Sequence, residues 1–505
     1  MKVGIIIACL LYELITIVGV AWFLKYKRRH EGDGVMTEDD FAVGGRSIGV
    51  FGIAVTLVLI MLGSGHTTGT FEGVATYGLG QVWFILAHGV LLVVVCLGTG
   101  LWSRRMRISS IGEFCTLSYG HETAVIVAAL NVIITLGILS CELQAMGIIL
   151  NGIAGLPIKI GAIVGGIVGM LYIVIGGMKQ SAYLNMLNMV IFYLSFVLAA
   201  IFIATKLPGG NYDTVQNYYV TTGQENMLSF TGGKGFIWAV GMPSFLSAFF
   251  CHATGQSMIQ TCASAKSEKT LRRVALFVAP LNTLIGAFSC TLALTAKSLP
   301  AYRDLDAKVY TVKMLIDMLP PWLITMMLVA FIAALLSTVA GFTMAAATSL
   351  TTDFVRDLFC PRMSSKGLVM TNRLLILVVL VVGICFAQFL PPVLMLFAWL
   401  YSFGIPVFFI YLGGLWWKRS QPVAIATLII PWIMASLWTF TSLPSAVHLE
   451  NVAVMWVVLI TTIVVMCVGN LCAGNAKKGY FRTDDWYNSE GYKVYLEEKG
   501  KGLAL

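Results

Sequence analysis

Charged residues are scarce in this chain of 505 residues, and their scarcity excludes most kinds of soluble protein. Aspartate, glutamate, lysine and arginine together make up 11% of the sequence, whereas an ordinary soluble domain has about 25%. The hydrophobic fraction is 58% and the mean hydropathy is +0.86. The sequence therefore predicts a helical protein that crosses a membrane many times.

Other chemical signals are missing as well. The eleven cysteines form no Cys-x-x-Cys pair and no cluster with histidine, so neither a zinc site nor a redox centre is predicted. No nucleophile and base stand at a spacing typical of an enzyme, and we expect that the protein is not one. The net charge of +9 is attributed to membrane orientation, so we expect no nucleic-acid partner and no obligate protein partner.

Thirteen apolar runs are long enough to cross a bilayer, which takes about 20 helical residues. The first run lacks a signal-peptide cleavage site, and its basic cluster follows it, so we expect a retained helix. The predicted spans are roughly 3–24, 49–75, 79–101, 123–151, 158–177, 182–206, 236–262, 272–296, 320–352, 367–390, 391–416, 421–443 and 451–473. Residues 1–474 would form one transmembrane domain. Residues 475–505 would form a short cytoplasmic tail, interpreted as a solvated end resting on anionic lipid.

The distribution of lysine and arginine orients these spans. With the N-terminus outside, the inner segments carry 25 of the 33 basic residues and the outer segments carry eight. Loops on the cytoplasmic side are enriched in lysine and arginine. The sequence therefore predicts an N-out, C-in chain embedded in the lipid bilayer of the cell membrane.

Two of the predicted spans contain a helix break. Gly63 and Gly65 flank a serine in the second span, and Thr254 and Gly255 interrupt the seventh. Unwound backbone at membrane depth needs protein or a water-filled cavity around its carbonyls, although a small-residue helix contact would also explain the first pattern. The breaks run in opposite directions at corresponding positions. This arrangement predicts two inverted repeats of five spans, about 49–206 and 236–417, which is typical of transporters.

The ninth span adds two adjacent hydroxyls. Ser337 and Thr338 lie in an apolar helix among small residues. Hydroxyls within a helix commonly donate to a carbonyl four residues back, and on the residues alone that structural alternative stays open. Together with the carbonyl of Ala334 and those of an unwound Leu59–Leu62 turn, however, the hydroxyls would offer about five hard oxygens to a dehydrated sodium ion.

Six groups of motifs follow one another along the chain: FAVGGRSIG (41–49), ISSIGEF (108–114), YIVIGGMKQSAY (172–183), IQTCASAKS (259–267), AALLST with TTDFVRD (333–357), and LYSFGIP with GLWWKRS (400–420). Through them, nearly the whole chain resembles the sodium/solute symporters, which transport solutes such as sugars, proline, pantothenate, sialic acid and choline. The resemblance implies an all-α, leucine-transporter-like fold with a 5+5 inverted repeat and about 13 transmembrane helices. It also implies that the coupling ion, sodium, binds at Leu59, Leu62, Ala334, Ser337 and Thr338.

Three positions depart from the family pattern. Asn185 stands where the family commonly has an aspartate linked to a second sodium or to sodium exit, so we expect one coupling sodium per turnover. Met61 and Gly255 stand where the members that handle choline have tryptophans of an aromatic cage. Their presence argues against a quaternary amine as the solute.

Polar and aromatic side chains near the breaks are the candidate solute ligands, because polar residues inside a membrane are usually functional. They are His66, Thr67, Glu142, His252, Thr254, Gln256, Phe397 and Trp399, with Tyr401 beside the last two. Glu142 could equally pair with a neighbour, and His88 and Glu13 are interpreted as packing residues. The donor groups and the N-termini of half-helices favour an anionic group on the solute.

These features and the resemblance predict a secondary active transporter that couples inward sodium movement to the uptake of a small polar organic solute by alternating access. An amino acid or another carboxylate is the expected solute. A proton-coupled carrier using His66, His252 or Glu142 is one alternative. A membrane sensor on the same fold is another, although the segment 475–505 is short for a signalling domain.

The orientation can be tested with reporter fusions. A reporter placed after Lys478 should be cytoplasmic, and one inserted within Asn211–Asn226 should face outside, because the lysine and arginine excess lies on the C-terminal side of the membrane. Accessibility of the two reporters in intact cells measures this. The reverse pattern would overturn the predicted span arrangement.

Overall fold

The computed structural model describes residues 2–30, 36–389, 399–474 and 476–482, and residues 486–488, 492–493, 496–497 and 500 of the tail. Nearly all regular structure in this part of the chain is helical, as the apolar runs predict. The helices of the first half are α1 (Lys2–His30), α2 (Glu38–Val43), α3 (Val50–Met61), α4 (Thr68–Tyr77), α5 (Val82–Leu97), α6 (Thr99–Met106), α7 (Ile111–Tyr119), α8 (His121–Ala154), α9 (Ile158–Val174), α10 (Gly177–Lys206) and α11 (Gly210–Thr221).

The second half continues this pattern and ends in a short sheet. Its helices are α12 (Met242–Ala253), α13 (Gln256–Ala263), α14 (Glu268–Ala275), α15 (Val278–Ser298), α16 (Tyr310–Met318), α17 (Pro321–Ser349), α18 (Ser365–Ala387), α19 (Gly404–Trp416), α20 (Gln421–Phe440), α21 (Leu443–Ala446) and α22 (Val454–Cys472). A π-helical turn, Leu350–Phe359, extends α17. The two strands are β1 (Lys418–Arg419) and β2 (Lys477–Lys478).

Each of the thirteen predicted spans overlaps at least one helix in the described residues, and the start of the span 391–416 lies outside them. By length and hydropathy, ten helices could cross a membrane, or eleven when the bent pair Ile237–Ala253 and Gln256–Ala263 is included. Two further apolar helices, Val50–Met61 and Ile158–Val174, are shorter than a full crossing. The first of these is short because the helix break cuts it. The number of crossings and the orientation therefore stay predictions.

Both predicted helix breaks are present. Helix α3 ends at Met61, and α4 begins only at Thr68, so the backbone between them lacks the regular hydrogen bonds of an α-helix. Helix α12 ends at Ala253 and α13 begins at Gln256, with a bend of 49° between the two halves. Glycine lies in both gaps, which agrees with its low helix propensity.

Helix α17 occupies the centre of the bundle. Of its most apolar segment 83% is buried, against 28% for α20 and for α22, which separates the core from the periphery. Helix α17 packs against α3, α8, α9 and α10. The exposed apolar side chains of α1, α20 and α22, such as Trp22, Phe440 and Leu471, form a surface suited to lipid.

The tail folds onto the body, which differs from the solvated end that the sequence favoured. Strands β1 and β2 pair antiparallel, with Arg419 opposite Lys477. Tyr480 and Trp486 are buried, and Phe481 packs its ring 4.1 Å from that of Trp102 on α6. Aromatic burial together with backbone pairing attaches this segment to the ends of α6 and α19.

Candidate functional site

The hydroxyl of Thr338 lies where the unwound turn meets α17. Its Oγ1 is 3.0 Å from the carbonyl oxygen of Ala334 and 3.2 Å from that of Leu59. The carbonyl of Ile60 is 3.3 Å away. A helix-internal hydrogen bond to Ala334 was the structural alternative, and that bond is present. The same hydroxyl also bridges to α3, so three carbonyl oxygens surround one point.

Ser337 and Leu62 complete the predicted set of sodium ligands. The Ser337 hydroxyl is fully buried and has no hydrogen-bond partner among the described residues. Leu62 is the residue at which α3 stops. An unpartnered buried hydroxyl beside a cluster of carbonyl oxygens fits a hard cation, because such an ion is bound by oxygen atoms and would satisfy the hydroxyl.

Glu142 on α8 caps the break from the other side. Its carboxylate accepts hydrogen bonds from the backbone N–H and the hydroxyl of Ser64, at 2.8 and 2.7 Å. A methyl group built on Gly63 would lie 2.6 Å from this carboxylate and 2.7 Å from Thr338 Oγ1. The carboxylate and the Thr338 hydroxyl therefore flank the same glycine, and Glu142 belongs to the break and not to a separate ion pair.

Three histidines contact one another through their rings near the two breaks. The ring centroids of His66 and His88 are 4.6 Å apart, and those of His88 and His252 are 5.5 Å apart. His88 and His252 each direct Nδ1 to the carbonyl four residues back, at 2.9 and 3.1 Å. Both ring nitrogens of His66 are buried without a partner in the described part of the chain. The cluster thus retains unused hydrogen-bonding capacity at its His66 end.

Two of these neighbours were not predicted. The sequence placed His88 among the packing residues, and its carbonyl bond agrees with that, but the structure also puts it between the two predicted histidines. Asn282 on α15 lies close enough to His66 for the two buried side chains to interact, but neither makes a hydrogen bond of good geometry with the described residues. Neither residue follows a glycine break, so no local signal marked it. Thr254, which was predicted, is likewise buried with an unpartnered hydroxyl.

Gln256 and Thr67, both predicted solute ligands, use their side chains in hydrogen bonds to the backbone. The amide of Gln256 accepts from the N–H of Ile111 and donates to the carbonyl of Ser109, both at 2.9 Å. It connects α13 to the start of α7, and its hydrogen bonds are used there. Thr67 donates to the carbonyl of Gly63 at 3.0 Å, which replaces a missing helical hydrogen bond.

The predicted aromatic wall is only partly placed by the structure. Phe397 lies outside the described residues. The Trp399 ring packs edge-to-face with Phe403 and Phe440, with centroids 4.6 and 5.2 Å away, so it contacts the peripheral helix α20. Tyr401, unlike Trp399, reaches the histidines, with its ring 5.1 Å from that of His252.

Asn185 takes part in a chain of buried side-chain hydrogen bonds. Its side-chain oxygen accepts from the Tyr172 hydroxyl at 2.7 Å, and Tyr172 in turn accepts from Asn188. Glu13, which the sequence placed in packing at the edge of the bundle, is fully buried next to Asn188. The amide at position 185 therefore has a structural partner, and one coupling sodium per turnover stays a prediction.

The inner end of the bundle is held by ionic contacts. Arg356 donates to Glu113 at 2.7 Å, and Ser110 donates to Asp353. Burial alone would raise the pKa of Glu113, but Arg356 and the Ser109 donors hold it below its usual range. A carboxyl group whose pKa is lower in the folded state stabilises the fold at pH values above its unfolded-state pKa. This stabilisation is lost as the pH falls through the folded-state pKa. The contact between Arg356 and Glu113 therefore stabilises this end of the bundle at neutral pH.

Comparison with known proteins gives consistent matches. The model of the Sodium:solute symporter family matches residues 41–431. The chain is 22% identical to sodium-coupled monocarboxylate transporter 2 of Bos taurus over 365 residues, covering 69% of this chain and 57% of that protein. It is 22% identical to the sodium/pantothenate symporter of Escherichia coli (strain K12) over 435 residues, covering 83% and 87%. The chain thus spans just over half the length of the bovine relative.

A solved structure gives the fold. A Na+-coupled sialic acid symporter in a substrate-bound outward-open state superposes with a TM-score of 0.77. The match covers 94% of this chain and 99% of that one at 15% sequence identity, a level that shows the fold alone. The fold is leucine-transporter-like and nearly all helical, as the sequence predicted.

The crowding around Gly63 yields a stability prediction. Gly63→Ala should lower the free energy of unfolding by about 1–3 kcal/mol, because the added methyl group would overlap the Glu142 carboxylate and the Thr338 hydroxyl. Thermal unfolding of the purified protein measures this. Gly63 does not have a positive φ, so overlap and not backbone strain is the cause.

Gly65→Ala is the matched control, since its nearest neighbour is the Phe84 ring at 3.2 Å, which needs to move by only a few tenths of an ångström. The control should unfold closer to the wild-type temperature. Equal losses in the two variants would contradict the close contact of α3, α8 and α17 at Gly63.

Proposed function

Because the chain belongs to the sodium:solute symporter family, we propose that it couples inward sodium movement to the uptake of a small polar organic solute by alternating access. It would act in the lipid bilayer of the cell membrane, without a protein or nucleic-acid partner. The family and the structural neighbours are transporters and not enzymes, and the chain is a multi-pass integral membrane protein. The observation that carries the proposal is the contact of the Thr338 hydroxyl with the carbonyls of the unwound turn.

In this proposal sodium binds between α3 and α17. The carbonyl oxygens of Leu59, Leu62 and Ala334 and the hydroxyls of Ser337 and Thr338 would replace its hydration shell. Dehydrating a cation in a low-dielectric interior is costly, and several oxygens must offset that cost. The Glu142 carboxylate, which lies next to Gly63 as the Thr338 hydroxyl does, would add negative potential near the ion without being one of the five ligands.

The solute would bind beside the ion, between the histidines. His66 and Asn282 offer unpartnered polar atoms, and Thr254 offers a hydroxyl at the second break. Hydrogen-bond donors of this kind suit a carboxylate, as do the N-termini of half-helices. Relatives are named for monocarboxylates and pantothenate, which supports an amino acid or another organic acid as the solute.

A proton-coupled carrier is the second candidate, because three buried histidines in ring contact are a possible proton path. The two candidates differ in a simple measurement. Uptake into vesicles that is driven by a pH gradient without sodium would favour the proton-coupled carrier. Uptake that needs a sodium gradient and persists when the pH gradient is collapsed supports sodium coupling.

The sodium site predicts the effect of removing its hydroxyls. Ser337→Ala and Thr338→Ala should each cost about 1–3 kcal/mol of ion binding, which raises the sodium concentration for half-maximal uptake at least about fivefold. Uptake at varied sodium measures this, and sodium-dependent thermal stabilisation gives a second readout.

Thr343→Ala is the matched control, because Thr343 is a buried threonine on the same helix with an unpartnered hydroxyl. It should keep the wild-type sodium dependence. If the double variant Ser337→Ala/Thr338→Ala also kept it, the sodium assignment would be wrong.

The histidine cluster predicts a variant that separates solute from ion. His66→Ala should weaken solute binding while sodium-dependent stabilisation is retained, since the imidazole is not among the ion ligands. A thermal-shift screen of amino acids, carboxylates, amines and sugars, with and without sodium, measures both effects. The exposed His30→Ala is the control.

Two results of that screen would count against the proposed solute site. One is sodium-dependent binding of choline or betaine with no response to any carboxylate. The other is loss of sodium stabilisation in His66→Ala together with loss of solute binding.

A further inference from the structure

A cavity of about 600 Å³ opens at the end of the bundle where α7, α8, α20 and the tail meet. Its lining shares no residue with the sodium or solute candidates. The lining includes the basic side chains of Arg419 and Lys477 and the polar side chains of Ser118 and Gln421. Among the described residues that line it, none is acidic. The described part of the lining therefore carries a net positive charge.

Two long helices begin at this cavity. Helix α8 has 34 residues and α20 has 20, and the residues that precede their first turns, Gly120 and Ser420, both line the cavity. Neither of them supplies a side-chain hydrogen bond to its helix. First-turn N–H groups have no partner within a helix and carry the positive end of its dipole. Pro422 removes one N–H from the first turn of α20, and the remaining N–H groups of the two helix ends favour an anion here.

A buried hydroxyl in the cavity wall lacks a partner. Ser118 is 6% exposed, and its Oγ has no hydrogen bond within the described residues. The neighbouring Tyr119 hydroxyl, in contrast, donates to the carbonyl of Ile410 at 2.6 Å. Buried hydroxyls are normally satisfied, and an oxygen of a bound ligand would satisfy this one.

The strand pair brings the two cations together. Arg419 donates through Nε to the carbonyl of Lys478 at 2.7 Å, and Lys477 stands opposite Arg419 in the register. Glu122, the acidic residue in the first turn of α8, does not line the cavity, and its carboxylate accepts from Gln421 at 3.2 Å. Arg419 belongs to the helical body and Lys477 to the tail, so a ligand bound between their side chains would connect the tail to the body.

We propose that this cavity binds an anionic phosphate group, as carried by a phospholipid headgroup or by a soluble phosphate. Phosphate suits paired cations, helix N-termini and a hydroxyl donor. The lining also includes Leu117, which is 49% exposed and would contact an acyl chain. The predicted C-in orientation places the cavity at the cytoplasmic leaflet, whose anionic lipids attract lysine and arginine.

The test compares two neighbouring lysines, Lys477→Gln and Lys478→Gln. Both are exposed, but only Lys477 lines the cavity. The full chain in neutral detergent is titrated with short-chain phosphatidylglycerol, short-chain phosphatidylcholine or potassium phosphate, and thermal unfolding is followed. Phosphatidylglycerol should stabilise the wild type and Lys478→Gln alike, and Lys477→Gln should bind about fivefold more weakly. Ser118→Ala should weaken binding without a change of charge.

The arms of the titration identify the source of the phosphate. Stabilisation by phosphatidylglycerol alone assigns a lipid, and stabilisation by potassium phosphate with the same dependence on Lys477 assigns a soluble anion. Equal stabilisation by phosphatidylcholine, equal behaviour of the two lysine variants, or no stabilisation by any ligand would overturn the proposal. Binding is measured without transport, so the outcome is independent of sodium coupling.

Discussion

The need to satisfy every backbone polar group inside a bilayer shapes the centre of this protein. Between α3 and α4 the carbonyls of Gly63, Ser64 and Gly65 accept from Thr67, Thr68 and Thr70, at 3.0, 3.2 and 3.1 Å. Glu142 accepts the N–H of Ser64, and Thr338 donates to Leu59. The threonine side chains near the break therefore take the place of the missing helical hydrogen bonds. The carbonyls that face α17 are held in fixed positions. A fixed ring of oxygens binds an ion with little reorganisation.

The contact between the Thr338 hydroxyl and the carbonyls of α3 also requires that α3 and α17 lie close together. A methyl group on Gly341 would lie 2.8 Å from Ile60, and one on Gly63 would overlap Thr338. Alanines at 333, 334 and 340 are fully buried in the same region. Small residues let two helix backbones approach each other in a membrane, where the lipid supplies no hydrophobic force between helices. This proximity is what brings a hydroxyl of α17 within hydrogen-bonding distance of carbonyls on α3.

The parts of the fold that depend on local sequence were predictable, and those that depend on helix rotation were not. Glycines indicated both breaks, and the adjacent hydroxyls indicated Ser337 and Thr338, because each of these patterns lies within a single helical segment of the sequence. His88 and Asn282 have no such signal, and only packing brings them to His66. Gln256 stands beside a break, yet its side chain is turned toward the start of α7. The docking of the tail depends on pairing between segments more than fifty residues apart, Arg419 with Lys477, which periodicity does not reveal.

Gln256 also has a mechanical consequence. Its amide fastens α13 to Ser109 and Ile111, and Ser110 between them donates to Asp353 beyond α17. These hydrogen bonds therefore connect three segments at one place: helix α13 of the seventh span, the start of α7 and the end of the ninth span. Opening the inner side by swinging α13 alone would leave the polar groups of this joint without partners. A movement that preserved these hydrogen bonds would carry the three segments together, and the side chain that couples them is a glutamine.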